Sequence, residues 1–237
     1  MDFTAKARVV LEFSLGDLCS YWTEGGKYFV NAASYYSYVY SEAQDLAPWA
    51  GEPKKKYMIA ALPRTGSNFL CDLLWREKNL GRPAEYFNLA RMPRIDFLPM
   101  QHDAASFVER LFQKRTSPNG VFGVKAFITD LAQLAKHAPS AFDRLGSTQV
   151  IYLRRREKDT QATSLARAWE DNVWYRLPQT EPNREKPGPT STTTALVKIQ
   201  SWEKKWSEIF ARTNTKPMTL WYEDLIRDPH IQISKIR

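Results

Sequence analysis

Residues 61–74 read ALPRTGSNFLCDLL: an apolar approach, a tight polar turn, then an apolar helical repeat. A strand that enters a Gly/Ser turn and continues as a helix presents unbonded backbone N–H groups at the helix N-terminus. The helix dipole there favours an anion. Pro63 leads into the turn, Thr65, Gly66 and Ser67 form it, and Asn68 follows. The hydroxyls of Thr65 and Ser67 are further donors. Gly66 permits close backbone approach, and the Arg64 guanidinium offers two parallel N–H groups to a phosphate. The outline is that of a phosphate-binding loop, yet the Gly-Lys-[Ser/Thr] that grips terminal phosphates and Mg²⁺ in nucleotide hydrolases is missing. An ordinary Ser/Gly helix cap explains the same residues. The turn therefore needs support from the rest of the chain.

Working outward, the pattern alternates strand and helix. YMIAAL (57–62) is a short apolar run of the kind a buried parallel strand shows. Phe69, Leu70, Leu73 and Leu74 recur at helical spacing. AASFVERLFQKR (104–115) predicts a helix, then comes the turn Pro118-Asn119-Gly120 and the strand VFGVKAFI (121–128). DLAQLAKHA (130–138) predicts a helix, TQVIYLRR (148–155) a strand and TQATSLARAWEDNVW (160–174) a helix. Residues 176–193 are proline-rich and polar and read as a surface loop. A helix over 195–211 carries Ile199, Trp202, Trp206 and Ile209 on one face, and MTLWY (218–222) is a last strand. The expected fold is α/β: a P-loop-like three-layer sandwich whose mostly parallel sheet is flanked by helices. Residues 1–56, with the tyrosine-dense YFVNAASYYSYVY, read as an N-terminal extension without assigned chemistry. They end at the GEPKKK boundary, and residues 57–237 form the α/β domain.

The chain of 237 residues, 43% hydrophobic, can bury one substantial core. Its net charge of +8 suits an anionic partner. Basic residues cluster only at Lys54–Lys56 and Arg154–Arg156, which is unlike a stripe that tracks nucleic acid. A small polyanionic ligand is the expected partner. Cys19 and Cys71 cannot build a disulfide framework. Asp2, Lys6 and Arg8 interrupt any signal-peptide core, and no run reaches the length of a membrane span. Three histidines without cysteine pairs form no metal-ligand spacing. The expectation is a cytoplasmic, metal-free protein with no integral membrane segment.

Arg154, Arg155 and Arg156 stand where a parallel strand hands over to its helix, in the crevice where α/β sheets bind ligands. Beside the anion turn, they imply a second anionic group. Two anion subsites joined by a nucleoside, with no metal box, suit 3′-phosphoadenosine-5′-phosphosulfate better than ATP. PRTGSNFL (63–70) resembles the 5′-phosphosulfate loop of sulfotransferases, and RREKDTQATSLARAW (155–169) resembles their 3′-phosphate segment. The arginine eight residues before Ser164 is Arg156, and the one nine before is Arg155, so the spacing leaves the choice open. GRPAEYF (81–87), SPNGVFGVK (117–125), QATSLARAWEDNVW (161–174) and WYEDL (221–225) are similar, in order and rough spacing, to the bacterial trehalose 2-sulfotransferase-like family.

The resemblance implies sulfuryl transfer from 3′-phosphoadenosine-5′-phosphosulfate to a hydroxyl of a carbohydrate, glycolipid or other small molecule. It implies Pro63–Asn68, Arg155, Arg156 and Ser164 as donor-binding residues, with Arg64 also stabilising the leaving group. Glu85 is the implied base for the acceptor hydroxyl, in an apolar setting of Pro83, Tyr86 and Phe87 that favours its protonated form. His102 is a rival base by its ordinary titration range. Lys125 and Trp174 are candidate acceptor contacts, Tyr222-Glu223-Asp224 reads as a fold marker, and a homodimer is implied by analogy. The family's later basic segment has no counterpart before Arg237, so the resemblance implies a C-terminally truncated domain. Two other readings stay open: a catalytically weak nucleotide-binding module of this fold, and a P-loop-type small-molecule kinase.

Overall fold

The computed structural model describes residues 41–88, 104–145, 148–171, 174 and 187–237. Its centre is a sheet of four parallel strands in the order β2-β1-β3-β4. These are β1 (Lys55–Ala60), β2 (Val121–Ala126), β3 (Gln149–Arg154) and β4 (Met218–Trp221). Between β1 and β2 run α1 (Ser67–Arg76) and α2 (Ala104–Arg115). Between β2 and β3 run α3 (Ile128–His137) and α4 (Pro139–Leu145). Between β3 and β4 run α5 (Lys158–Asp171) and α6 (Pro189–Arg212). Short α7 (Tyr222–Arg227) and α8 (Pro229–Ser234) follow β4. No helix among the described residues is long and apolar enough to cross a membrane.

Alternating strand residues sort the core into two layers, because successive side chains leave a strand on opposite faces. Ala60, Phe122, Val124, Ala126, Val150 and Tyr152 point to one face, covered by α2, α3, α4, α5 and α6. Tyr57, Ile59, Ile151, Leu153 and Leu220 point to the other, under Leu70, Cys71 and Leu74 of α1, Leu225 of α7 and Ile233 of α8. The three-layer α/β sandwich expected from the sequence is the fold. Cys71 is fully enclosed, and burial pushes its thiol up to about 12.

Several boundaries differ from the sequence expectation. β1 starts at Lys55, because the parallel neighbour continues to pair with it: Lys55 lies opposite Val121 and Lys56 opposite Phe122. α6 starts at Pro189 rather than near Ala195, with Gly188 at its cap and Pro189 in the first helical position, where proline's missing N–H costs nothing. The stretch read as a loop over 176–193 is thus helical from Pro189; residues 176–186, like residues 1–40 and His102, lie outside the described residues. Residues before β1 dock on the domain. Leu46 and Trp49 N–H groups donate to the Lys114 and Gln113 carbonyls at 2.8 and 2.9 Å. Asp45 pairs with the fully buried Arg115 at 2.8 Å.

The turn before α1 is shaped by two left-handed residues, Arg64 (φ 65°) and Gly66 (φ 78°). A Cβ on Gly66 would lie 2.4 Å from Cδ2 of Tyr222, so the ring of α7 rests on the glycine backbone. Gly66→Ala is therefore expected to lower stability by about 1–3 kcal/mol, from strain at positive φ plus the clash. The Tyr222→Ala, Gly66→Ala double variant removes the clash alone. Denaturant titration of both should show a double variant less destabilised than the two single losses summed; strict additivity would contradict this contact.

Candidate active site

Four consecutive carbonyls of the β1–α1 loop are each bonded by a side chain. Trp206 Nε1 of α6 donates to the Ala61 carbonyl at 3.3 Å. Thr65 Oγ1 donates to Leu62 at 2.8 Å. Gln161 Nε2 of α5 donates to Pro63 at 2.9 Å. Arg155 Nη1 donates to Arg64 at 3.3 Å. Those four acceptors are thereby turned into the protein. The first helical bond of α1 runs from the Leu70 N–H to the Gly66 carbonyl at 3.0 Å. Ser67, Asn68 and Phe69 therefore have N–H groups with no helical acceptor, and Gly66 has no side chain to cap them. Thr65 differs from expectation: the residue is 1% exposed and its hydroxyl donates to the Leu62 carbonyl, so that hydroxyl is not a donor free for a ligand.

The three arginines at the end of β3 have different fates. Backbone alternation sends Arg154 and Arg156 to the Trp221 ring, at 4.9 and 4.7 Å, and Arg155 to the Tyr222 ring, at 4.7 Å. Arg154 pairs with Glu203 of α6 at 3.2 Å. Arg156 makes a two-pronged pair with Asp224, at 3.0 and 2.7 Å, which holds that carboxyl below the usual carboxylate range. Its backbone N–H donates to Glu223 at 2.9 Å. Among the described residues Arg155 forms no salt bridge, and its Nε is buried and without a hydrogen-bond partner. Burying such a donor unpaired costs free energy unless something else accepts from it.

Arg64 closes the loop against α5. Its Nε donates to Ser164 Oγ at 2.9 Å and its Nη1 to the Trp174 carbonyl at 2.7 Å. Ser164 uses an oxygen lone pair there, which leaves its hydroxyl hydrogen for another acceptor. Trp174 thus contributes its backbone to this contact, while its half-buried ring packs on the core. Opposite, on β2, Lys125 is 1% exposed. Its ammonium bonds both Asn68 Oδ1 of α1 and Glu85 Oε1. Glu85, 6% exposed, takes a second bond at Oε2 from Asn88 Nδ2 at 2.8 Å. The apolar wall of Tyr86 and Phe87 is present, but the sequence reading of Glu85 had no cation beside it; the structure supplies Lys125.

The structure therefore gathers Pro63–Asn68, Glu85, Lys125, Arg155, Ser164 and the Trp174 backbone around one crevice, at the C-terminal ends of β1, β2 and β3. Arg156 is turned away from it. Sequence reasoning missed Gln161, Asn88 and the packing role of Tyr222. A glutamine inside a helix, 0% exposed, leaves no mark in a single sequence, since glutamine is common on helix surfaces.

The chain is similar to known proteins. An alignment over 212 residues, 24% identical and covering 73% of this chain and 79% of the relative, relates it to trehalose 2-sulfotransferase of Mycobacterium tuberculosis. The family model for Stf0 sulphotransferase matches residues 56–237, the span that holds the whole sheet except Lys55 and every crevice residue. By that match, the protein belongs to the Stf0 sulphotransferase family.

Proposed function

We propose that the protein transfers a sulfuryl group from 3′-phosphoadenosine-5′-phosphosulfate to a hydroxyl of a carbohydrate, glycolipid or other small molecule. The observation that carries this reading is the pairing of two anion grips in one crevice: the uncapped α1 N-terminus, and the buried Arg155 Nε without a partner among the described residues. The residues present fit the donor. The N–H groups of α1 and Arg64 suit its 5′-phosphosulfate, while Arg155 and the Ser164 hydroxyl suit its 3′-phosphate. Of the two arginines the spacing allowed, Arg155 is the assignment, because Arg156 is neutralised by Asp224. The name of the mycobacterial relative refers to a sugar acceptor, which supports the carbohydrate class.

When bound, the donor supplies an activated sulfuryl group whose departure leaves charge on a phosphate oxygen. Arg64 and the α1 amides would hold that oxygen with donors already ordered, so little reorganisation would be needed as charge develops. Lys125 adds a buried cation beside Asn68. Glu85 takes the acceptor hydroxyl's proton as the oxygen attacks, with the Lys125 ammonium beside it. The missing Gly-Lys-[Ser/Thr] argues against an ATP-dependent kinase in this crevice.

Calorimetric titration tests the donor class. Binding of 3′-phosphoadenosine-5′-phosphate, with no competition from ATP–Mg²⁺, is expected; the opposite preference would mean a kinase-type site. Arg155→Ala should weaken that binding by about ten- to a hundredfold, as loss of a charge-assisted contact does. Arg156→Ala should change it by no more than about threefold, since an exposed ion pair contributes little.

Glu85→Gln should keep nucleotide binding while lowering transfer of radiolabelled sulfate by about a hundredfold or more. Full transfer by that variant would remove Glu85 from the mechanism and point to another base. Binding without transfer by the unaltered protein would favour the nucleotide-binding module.

A further inference from the structure

The carboxylate of Glu85 is held by more than its charge partner. Residues 81–88 are all buried and lie along β2, where the Lys125 N–H donates to the Ala84 carbonyl at 2.9 Å. Asn88 closes a turn on Glu85, its N–H donating to the Glu85 carbonyl at 3.1 Å. The same residue's side-chain amide donates to Glu85 Oε2 at 2.8 Å, and Asn88 is 8% exposed. Lys125 reaches the other oxygen from a different element. Two directional donors, one on each oxygen and from two elements, leave the carboxylate plane little freedom to rotate. A base must lie within hydrogen-bond reach of its proton, and small misplacements of a catalytic group are costly in rate.

We propose that Asn88 is a positioning residue for Glu85, holding Oε2 with its amide while Lys125 holds Oε1. The proposal rests on the reading of Glu85 as the base. Asparagine suits the task because it donates at every pH and adds no charge. An aspartate there would set a second anion against the first, and an aliphatic side chain would leave Oε2 without this donor. Among the described residues, these charged and titratable groups face Glu85. Lys125 approaches from β2. From α1 come Cys71, whose thiol burial keeps neutral, and Asp72. Asp72 pairs at 3.5 Å with Arg82 of the segment that carries Glu85.

The test needs no knowledge of the acceptor. The full chain, labelled with ¹³C at glutamate Cδ and saturated with 3′-phosphoadenosine-5′-phosphate, is titrated by NMR. The Glu85 signal is identified by its loss in Glu85→Gln. In Asn88→Ala the Glu85 midpoint should move up by about half a pH unit to one unit, since a donor to the charged form is lost. In the near-isosteric Asn88→Asp it should move up further, by like charge. A purely structural role would lower the thermal midpoint of both variants and leave the Glu85 titration where it was; that result overturns the proposal. Should Asn88→Ala fail to fold, Asn88→Asp alone decides, and an unmoved midpoint there is equally fatal. The reading of Glu85 as base fails separately, by full transfer in Glu85→Gln.

Discussion

The site depends on where four backbone carbonyls point. Ala61, Leu62, Pro63 and Arg64 each give their oxygen to a side chain, from Trp206, Thr65, Gln161 and Arg155 respectively. With the acceptors fixed inside the protein, the amide donors at the tip of α1 are left to face the crevice. The left-handed turns at Arg64 and Gly66 are the backbone strain this arrangement carries, and Tyr222 seals it by lying on Gly66. A loop with amide donors at its helix tip, and without a P-loop lysine, is made in this way. Its cations come from Arg64 itself, from the end of β3 and from β2.

The sheet order explains why those cations meet. β1 lies between β2 and β3, and the chain leaves β1 first to one side and later to the other. Such a reversal opens a crevice at the C-terminal edge, where loops diverge instead of covering one another. Lys125 reaches it from β2 and Arg155 from just beyond β3, while α1 starts between them. Alternation along the extended chain then separates three adjacent arginines. One faces the loop; the other two lie on Trp221 and are neutralised by Glu203 and Asp224.

The buried Lys125–Glu85 pair is poorly explained by stability alone. Taking both charges out of water costs several kcal/mol per ion, which mutual attraction repays only with good geometry and further hydrogen bonds. Here Asn68 and Asn88 provide those bonds. An apolar pair of similar size would suit the core as well, and would do nothing to a hydroxyl proton.

The strands, most helices and the loop at 63–68 were legible in the sequence, because apolar periodicity and turn chemistry are local properties of the chain. So was the family likeness, carried by short motifs in a fixed order. Helix α4 and the first turns of α6 were not legible, being short or rich in residues that also suit loops. Nor could spacing choose between Arg155 and Arg156: one residue along an extended strand changes the face, and only the folded positions of Asp224 and Tyr222 show which guanidinium is already satisfied. Gln161 and the cation beside Glu85 belong wholly to tertiary structure. Their partners lie 98 residues away and on the buried segment that runs along β2, whereas Asn88 meets Glu85 three residues away around a turn. Local pattern therefore determined the secondary elements and the loop that could hold an anion. Packing between distant segments decided which polar groups were left to hold it, because a hydrogen bond to a far residue has no signature in the sequence around either partner.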